Sequence, residues 1–361
     1  MTQFIGVAEM AKLVRTIGIE TFLTELADEI RADFLRWPQF EKMARIATHS
    51  ADGVIELMPA SDSALYGFKY VNGHPKNPLA GKSTVMAFGV LADMATGTPL
   101  LVSEMTLLTA LRTAATSAMA ATALARADSS VLALVGAGAQ SEFQALAMQA
   151  MLGIETVQVY DPDAEATAKF VRNMAGSGLE VAVARSVREA VRGANIVTVA
   201  TAVKGRAAVI TPEMLEPGMH INAIGGDCPG KTELHPDVLR IGTVFVEYPP
   251  QTRIEGDIQQ MAPDFPVTEL WQVLAGSAAG RRTPDEITVF DSVGFAIEDF
   301  SALRYVRGLL DADEHEMDLI PDVGDPKDLF GEVVGLPWDR QSARLSLPRV
   351  GRGAQLRSAA T

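Results

Sequence analysis

The feature that most constrains this chain is an alternation of short apolar segments with helical segments, which begins after residue 130. Segments with the composition of buried strands are residues 131–135, 157–160, 181–184, 196–200, 220–223, 244–246 and 287–290. Segments with helical spacing, for instance 141–152 and 163–174, separate most of them. Strands interleaved with helices predict a parallel, doubly wound α/β sheet.

A different pattern precedes this alternation. To about residue 45 the spacing is helical, with Phe22, Leu23, Leu26 and Ile30 on one face. Between Arg45 and Glu104 come strand-like segments, at residues 53–58, 66–71, 84–91 and 99–103. Because Gly and Pro turns separate them, they predict an antiparallel sheet in a first domain. Helices are predicted at residues 106–127 and 295–310, and the second would return to the first domain.

A glycine turn follows the first strand of the alternating region. Residues 131–135 lead directly into Gly136-Ala-Gly-Ala-Gln-Ser141, and a helix follows. Gly136 suits a tight turn, and Gly138 allows the backbone to approach a pyrophosphate. The first N–H groups of the helix then face the phosphates. Ser141 stands where a third glycine is often found, and it is small enough to preserve close packing.

The next strand ends in a carboxylate, Asp161, about 25 residues after Gly136. An acidic residue there accepts the hydroxyl groups of the adenosine ribose and repels a 2′-phosphate. Pro162 and Asp163 follow without an arginine, so the pattern favours NAD over NADP. A simple glycine turn with a solvated aspartate is the alternative. Taken together, the strand, glycines, helix and carboxylate predict a Rossmann-type NAD site.

Composition excludes several classes of protein. The chain has 361 residues, which favours two domains, and a formal net charge of −14, which disfavours nucleic-acid and membrane partners. Its one cysteine, Cys228, rules out an intrachain disulfide and suits a reducing cytoplasm. We find neither a secretory signal pattern nor a sufficiently long apolar segment, and therefore expect a cytoplasmic protein. The five histidines lack paired spacing, so we expect no metal site.

The densest cluster of chemically useful residues is Asn222-Ala-Ile-Gly-Gly-Asp-Cys-Pro-Gly-Lys-Thr-Glu-Leu234, just beyond a predicted strand. Ligands bind at the carboxyl ends of parallel strands, and Gly225-Gly226 would allow a cofactor or substrate to come close. Asp227 would then project into a cleft between the two domains. An ordinary Gly-Asp-Pro turn is the alternative. Cys228 is more often a packed thiol than a nucleophile in such a setting.

This cluster resembles that of ornithine cyclodeaminases, whose wider family includes mu-crystallin-like ketimine reductases and some alanine dehydrogenases. The resemblance covers roughly residues 1–335. Other segments that carry it are Arg45-Ile-Ala-Thr-His49, Gly53-Val-Ile-Glu-Leu-Met-Pro59, Phe68-Lys-Tyr-Val-Asn-Gly-His-Pro75, Ala110-Leu-Arg-Thr-Ala-Ala115, Phe245-Val-Glu-Tyr248, Gln251-Thr-Arg-Ile-Glu-Gly256 and Phe290-Asp-Ser-Val-Gly-Phe295.

The resemblance implies roles for individual residues. Arg45, Lys69 and Arg112 match positions that hold the substrate carboxylate, and Val293 matches the lining of the substrate pocket. Glu56 and Asp227 match the catalytic acidic pair near the amino groups. Positions implied or predicted to contact the cofactor are Thr84, Arg112, Gly136, Gly138, Ala139, Gln140, Asp161, Thr201, Ile224, Gly225, Gly226, Asp227, Lys231 and Ser292.

For several of these residues a structural role is the alternative. A lysine in the middle of a strand, as Lys69 is, commonly lies on the surface. Glu56 or Asp227 could also serve only as an ion-pair partner of Arg45 or Lys69.

The implied reaction converts L-ornithine to L-proline and ammonia. NAD+ takes a hydride from Cα while Asp227 acts as general base. The δ-amine then attacks the imine carbon, and the hydride is returned. Alternatives within the family are a cyclic ketimine reductase, a lysine cyclodeaminase and an amino-acid dehydrogenase. A non-enzymatic NAD(P)-binding protein is the alternative from another class.

The resemblance also implies a domain arrangement. Residues 1–115, with a return segment at about 305–335, would form an α+β substrate-binding and dimerisation domain. Residues 116–304 would form the NAD-binding domain, and the protein would be a homodimer. Residues 336–361, which are rich in arginine and small residues, are predicted to be a flexible tail, with a nucleic-acid-binding arm as the alternative.

Overall fold

The computed structural model describes residues 2–202, 205–311, 315–321 and 326–334. Its strands are β1 (Thr2–Ile5), β2 (Glu41–Lys42), β3 (Ile46–His49), β4 (Val54–Ser61), β5 (Leu65–Gly73), β6 (Val85–Asp93), β7 (Pro99–Glu104), β8 (Val131–Val135), β9 (Thr156–Tyr160), β10 (Glu180–Val183), β11 (Ile196–Val199), β12 (Arg206–Ile210), β13 (His220–Ala223), β14 (Thr232–Leu234), β15 (Thr243–Val246), β16 (Thr268–Glu269), β17 (Thr288–Asp291) and β18 (Glu316–Met317). Its α-helices are α1 (Val7–Ile17), α2 (Ile19–Leu35), α3 (Thr106–Leu124), α4 (Ser141–Leu152), α5 (Ala164–Met174), α6 (Val187–Val191), α7 (Pro236–Ile241), α8 (Pro249–Glu255), α9 (Leu270–Leu274), α10 (Ala296–Leu309) and α11 (Leu329–Val334).

The first sheet is built from the N-terminal strands, in the order β18-β1-β7-β6-β5-β4-β2, with β3 also paired to β4. Strands β4 to β7 form the antiparallel sheet that the sequence predicts. Strand β1 was missed, because the spacing near it is helical and its partners lie far along the chain. It pairs in parallel with β7, where Gln3 lies opposite Leu101.

The second sheet is parallel throughout, in the order β10-β9-β8-β11-β13-β17-β15-β16, which confirms the doubly wound α/β prediction. Each of the seven predicted strands is present, with bounds that differ by at most one residue at either end. The pair β12–β14 was not predicted, because both strands are short and they pair across about 25 residues of the chain. Since β8, β11, β13 and β17 are neighbours, the loops that follow them meet at one edge of the sheet.

Helix α3 joins the two sheets. The Glu104 carboxylate accepts the N–H groups of Thr106 at 3.0 Å, Leu107 at 2.8 Å and Leu108 at 3.1 Å, which fixes where the helix begins. The helix is long and apolar enough to cross a membrane, but 78 % of its apolar window is buried in this structure. It packs against α2 and α4 and is therefore a core helix here.

Helix α10 lies against strands β4, β5 and β6 of the antiparallel sheet. A Cβ on Gly67 of β5 would lie 3.2 Å from the Phe300 ring, so glycine makes room for that ring. Phe300 also meets Phe40 edge to face, with ring centroids 5.2 Å apart. The first turn of α10 is thereby placed over β5. The domain limits at residues 115 and 304 stay a prediction, and the predicted tail, residues 336–361, lies outside the described residues.

Candidate active site

The glycine turn lies between β8 and α4, as the sequence predicts. Gly136 has a φ of +104°, and a Cβ there would lie 2.6 Å from the Ala200 carbonyl oxygen, so only glycine fits. Gly138 differs, since an added Cβ would have no described atom within 4 Å. The Asp161 carboxylate accepts the Ala137 N–H at 2.7 Å and so ties the turn to the end of β9.

The start of α4 fits the pyrophosphate of a dinucleotide. Open space lies at Gly138, and Ala139 and Gln140 lead directly into the first helical N–H groups. The Gln140 side-chain oxygen is buried and has no hydrogen-bond partner among the described residues. Lys169 donates to the Gly138 carbonyl at 3.0 Å and pairs with Glu142 at 2.7 Å. This lysine offsets an acidic side chain that would otherwise repel phosphate.

The loops after β11 and β13 are joined by a buried carboxylate, Glu233. It accepts the Thr201 N–H at 2.8 Å and the Gly225 N–H at 2.9 Å, and the Thr201 hydroxyl also donates to it. A Cβ on Gly225 would lie 2.2 Å from Glu233, and one on Gly226 would lie 3.1 Å from Asp257. The sequence suggested that these glycines admit a ligand. In the structure the groups that come close are carboxylates of the protein itself.

Two buried cations lie at the junction of the two sheets. Lys69 of β5 is 1 % exposed, and its Nζ lies 2.8 Å from an Asp299 oxygen. Arg112 of α3 lies 2.7 Å from Glu298 and 3.0 Å from the same Asp299 oxygen. Both carboxylates belong to the first turn of α10. The alternative that Lys69 is a surface lysine is therefore wrong. We call Lys69 and Arg112 the cation pair.

Burial perturbs the pKa values in this group. It lowers the pKa of Lys69 to about 8, with a contribution from the nearby charge of Arg112, while Asp299 opposes the change. Burial also raises the pKa of Glu298 to about 8, although Arg112 opposes this. Both pKa values are therefore displaced from their ordinary range towards physiological pH, which is common where proton transfer or ion binding takes place.

Arg45 connects the two sheets on the other side of the junction. One of its terminal nitrogens, Nη1, donates to Glu56 at 3.1 Å, and Nε lies 3.1 Å from Glu255. The other, Nη2, donates to the carbonyl oxygens of Val293 and Gly294. Most of the guanidinium fork is therefore bonded to protein groups, which leaves few N–H groups for a substrate carboxylate.

Asp227 lies at the mouth of this region. Its side chain is 54 % exposed and lies 3.2 Å from Lys231 Nζ, and Asp227 is close enough to Arg45 to raise the pKa of that guanidinium. The structure thus gathers Asp227, Glu56 and Arg45 in one region, as the sequence predicts. Glu56 pairs with Arg45, as the ion-pair alternative describes, whereas Asp227 pairs with Lys231, which that alternative did not name. These contacts do not decide the function of either carboxylate.

Three predicted contacts have protein partners in the structure. Ser292 donates to the buried Glu247, and Ile224 donates its N–H to the Val199 carbonyl at 3.1 Å. Thr84 is half-buried just before β6, and its carbonyl accepts the His74 N–H at 2.9 Å. Of these residues, Ile224 directly follows β13 and Ser292 directly follows β17, at the edge of the parallel sheet where the loops after β8, β11, β13 and β17 meet.

Sequence reasoning missed a set of buried carboxylates around the site. They are Glu233, Glu247, Glu255, Asp257, Asp291, Glu298 and Asp299. Asp291 accepts the N–H groups of Asp257 at 2.9 Å and Ile258 at 2.8 Å, and burial raises its pKa well above the usual range. Their signal was an acidic residue directly after an apolar strand, as with Glu247 and Asp291, or within an apolar helix, as with Glu298.

Comparisons with known proteins agree with this geometry. A sequence profile described as the ornithine cyclodeaminase/mu-crystallin family matches residues 7–314. The chain is 58 % identical to an ornithine cyclodeaminase from Agrobacterium fabrum over 333 residues, which cover 92 % of this chain and 94 % of that protein. A solved structure of a lysine cyclodeaminase, which recognises L-lysine, L-ornithine and L-2,4-diaminobutyric acid, also resembles this chain. It superposes with a TM-score of 0.81 at 31 % identity and covers 85 % of this chain and 92 % of that one. An archaeal alanine dehydrogenase dimer with bound NAD superposes with a TM-score of 0.78 at 32 % identity, covering 85 % and 95 %.

Proposed function

The chain belongs to the ornithine cyclodeaminase/mu-crystallin family, and from this premise we propose that it converts L-ornithine to L-proline and ammonia. It is an NAD-dependent ammonia-lyase in which the cofactor is regenerated in each turnover. The observation that carries the proposal is the placement of two kinds of charge. The cation pair lies at one side of the junction between the sheets, and Glu56 and Asp227 lie around Arg45 at the other. Such a site suits an amino acid with one carboxylate and two amines.

NAD fits the edge of the parallel sheet. The pyrophosphate would lie over Gly138 against the start of α4, and Asp161 would meet the adenosine ribose. Residues predicted to line the nicotinamide half are Thr201, Gly225, Gly226, Lys231 and Ser292. When bound, NAD accepts a hydride from the substrate Cα and later returns it to the cyclic imine.

The cation pair would hold the substrate carboxylate. In the structure Glu298 and Asp299 hold both cations in position, so little reorganisation is needed when an anion arrives. Arg45 would contribute the remaining N–H of its Nη1, since Nη2 donates to two carbonyl oxygens and Nε lies in the ion pair with Glu255. Val293 is buried beside it and would close the pocket.

The acidic pair would serve the amino end. Asp227 is the more exposed of the two and would take a proton from the α-ammonium, which frees the nitrogen lone pair to form the imine. Lys231 would orient that carboxylate, and Glu56 would hold the amine while remaining paired with Arg45. The δ-amine of the same molecule then closes the ring, and tethering removes most of the entropic cost.

We also propose that two copies of the chain associate through the outer face of the antiparallel sheet. Ile46 lies opposite Leu57, Leu57 opposite Tyr70, and Tyr70 opposite Phe88, which gives an apolar row across four strands. Ile46, Leu57 and Phe88 are 60, 42 and 44 % exposed. A contiguous exposed apolar face of this kind is typical of an interface. We propose in addition that the protein is located in the cytoplasm, as its single cysteine suggests.

The decisive test is a product assay with purified protein, L-ornithine and NAD+ at a concentration far below that of ornithine. We expect equal amounts of proline and ammonia, with many turnovers per NAD+ and no accumulation of NADH. NADH accumulation in proportion to substrate would instead identify an amino-acid dehydrogenase. Rates with L-lysine and with cyclic imines, measured in parallel, establish which member of the family the protein is.

A further inference from the structure

We propose that Glu255 is a third carboxylate of the substrate site, which binds the δ-ammonium of ornithine and accepts its proton before the ring closes. The inference rests on the proposed function and adds to it the residue that recognises the side-chain ammonium of the substrate. It would make Glu255 the residue by which the protein distinguishes a diamino acid from a monoamino acid.

The position of Glu255 supports this role. It is the last residue of α8, it is 5 % exposed, and its Oε2 lies 3.1 Å from Arg45 Nε. Glu56 reaches the same guanidinium from the antiparallel sheet, so two carboxylates from opposite sides meet at one cation. Among the described residues, no hydrogen bond is made to Oε2 of Glu255.

The charges around Arg45 do not balance. One guanidinium faces Glu56 and Glu255, with Asp227 nearby. Lys231 pairs with Asp227 and also interacts with the buried Glu233, so it supplies no charge for the two glutamates at Arg45. A buried carboxylate without a matching cation is costly, so a purely structural ion pair would need only one of the two glutamates. Ornithine supplies what is missing, because it carries two ammonium groups and one carboxylate.

The surroundings of Glu255 also suit proton transfer. Burial and the charges of Glu56 and Asp227 raise its pKa to about 7, although Arg45 opposes this. An alkylammonium has a pKa of about 10.4 and an ordinary glutamate has one of about 4.3, a difference of about six units. With the raised pKa of Glu255, the difference between proton donor and acceptor falls to about three units. A smaller gap makes the transfer easier.

The proton balance of the step closes. The δ-ammonium gives one proton to a Glu255 oxygen, and the freed lone pair attacks the imine carbon at Cα. As the new C–N bond forms, the π electrons of the imine move to the α-nitrogen. The ring nitrogen then carries a positive charge and two hydrogens, and it passes one of these protons to the α-nitrogen. Its lone pair forms the ring C=N bond as the bond from Cα to the α-nitrogen breaks, and ammonia leaves. The released ammonia takes the proton from Glu255, which is thereby ionised again.

The test compares two ligands on Glu255→Gln. L-Ornithine and L-norvaline have the same chain length, but norvaline lacks the δ-amine. Binding to the enzyme saturated with NAD+ is measured by fluorescence titration, and formation of NADH in a single turnover by absorbance. We expect the Kd for ornithine to rise at least about 10-fold, while that for norvaline changes less than about two-fold.

The pH dependence supplies a second readout. Since Glu255 must be ionised to bind and deprotonate the ammonium, ornithine turnover in the wild type should fall below about pH 7. Glu255→Gln should lose this acidic limb. Arg45, Glu56 and Asp227 are the charged groups that act on the Glu255 carboxylate, and they are present in both the wild type and the variant. A difference between the two pH profiles is therefore due to Glu255.

Equal weakening of both ligands would overturn the proposal, because it would show that Glu255 only positions Arg45. If Glu255→Gln does not fold, Glu255→Asp replaces it, since this variant keeps the charge but withdraws it by one methylene. It should show the same difference between the two ligands, and equal losses would again refute the proposal. Failure of the wild type to produce proline would refute the proposed function instead, and that result is separate.

Discussion

Replacing Asp299 with asparagine tests the cation pair most directly. Asp299 bonds Lys69 at 2.8 Å and lies 3.0 Å from Arg112, whereas asparagine has nearly the same shape and no charge. Arg112 keeps Glu298 as a partner, so the loss is concentrated on Lys69. The ammonium of Lys69 already has a lowered pKa, about 8, and removal of the carboxylate lowers it further.

The size of the effect follows from the energy of a charged hydrogen bond. Such a bond contributes about 1.5–3 kcal/mol, and one pKa unit corresponds to about 1.4 kcal/mol, so the pKa of Lys69 should fall by about one to two. The charged form binds the substrate carboxylate, and it is lost as pH rises through the pKa. At pH 8 the charged fraction would drop from about a half to between about 9 and 1 %, which lowers kcat/KM about 5- to 50-fold. At pH 6 the charged fraction would be between about 90 and 50 %, so the variant should lie within about two-fold of the wild type.

The assay is a profile of kcat/KM for ornithine against pH, with ammonia release as the signal. Ser301→Ala is the matched control, because Ser301 lies on the same helix but donates to Asp33 instead of the cation pair. This control should lower thermal stability without moving the alkaline limb. If Asp299→Asn lowers kcat/KM by one factor at every pH, the reasoning is refuted, because Asp299 would then not set the ionisation of Lys69.

Two further predictions concern the glycine loops and the sheet face. Gly225→Ala should lower the unfolding free energy by about 1–3 kcal/mol, because its Cβ would lie 2.2 Å from Glu233. Gly138→Ala should change the unfolding free energy by less than about 0.5 kcal/mol, because its Cβ would meet open space, but it should weaken NAD+ binding about 10-fold. Differential scanning fluorimetry and NAD+ titration separate the two effects. An unchanged affinity of Gly138→Ala for NAD+ would contradict the assignment of Gly138 to the cofactor. Leu57→Asp should convert a dimer to a monomer in light scattering, since it places a charge within the apolar row, while the exposed Glu165→Gln serves as a control. An unchanged mass for a dimeric Leu57→Asp would place the interface elsewhere.

Much of the fold was predictable because its signals are local. The strand at residues 131–135 was predicted with the bounds it has in the structure, since an apolar segment between turns is recognisable from neighbouring residues alone. The helix at 106–124 was expected to reach residue 127, but it ends where Ala125 becomes extended. The strand Thr2–Ile5 was missed, because its pairing with residues about 100 positions away leaves no local trace.

The sequence by itself determined the class of fold, the glycine turn between β8 and α4 and those candidate residues that lie in short motifs, because periodicity and short motifs are properties of neighbouring residues. Only the tertiary structure decided which charges face one another. Arg45 meets Glu255, Lys69 meets Asp299, and Arg112 meets Glu298, although each pair is separated by well over 100 residues in the chain. The strength of an ion pair and the pKa of its members depend on separation and burial, and both are set by how the two sheets pack together.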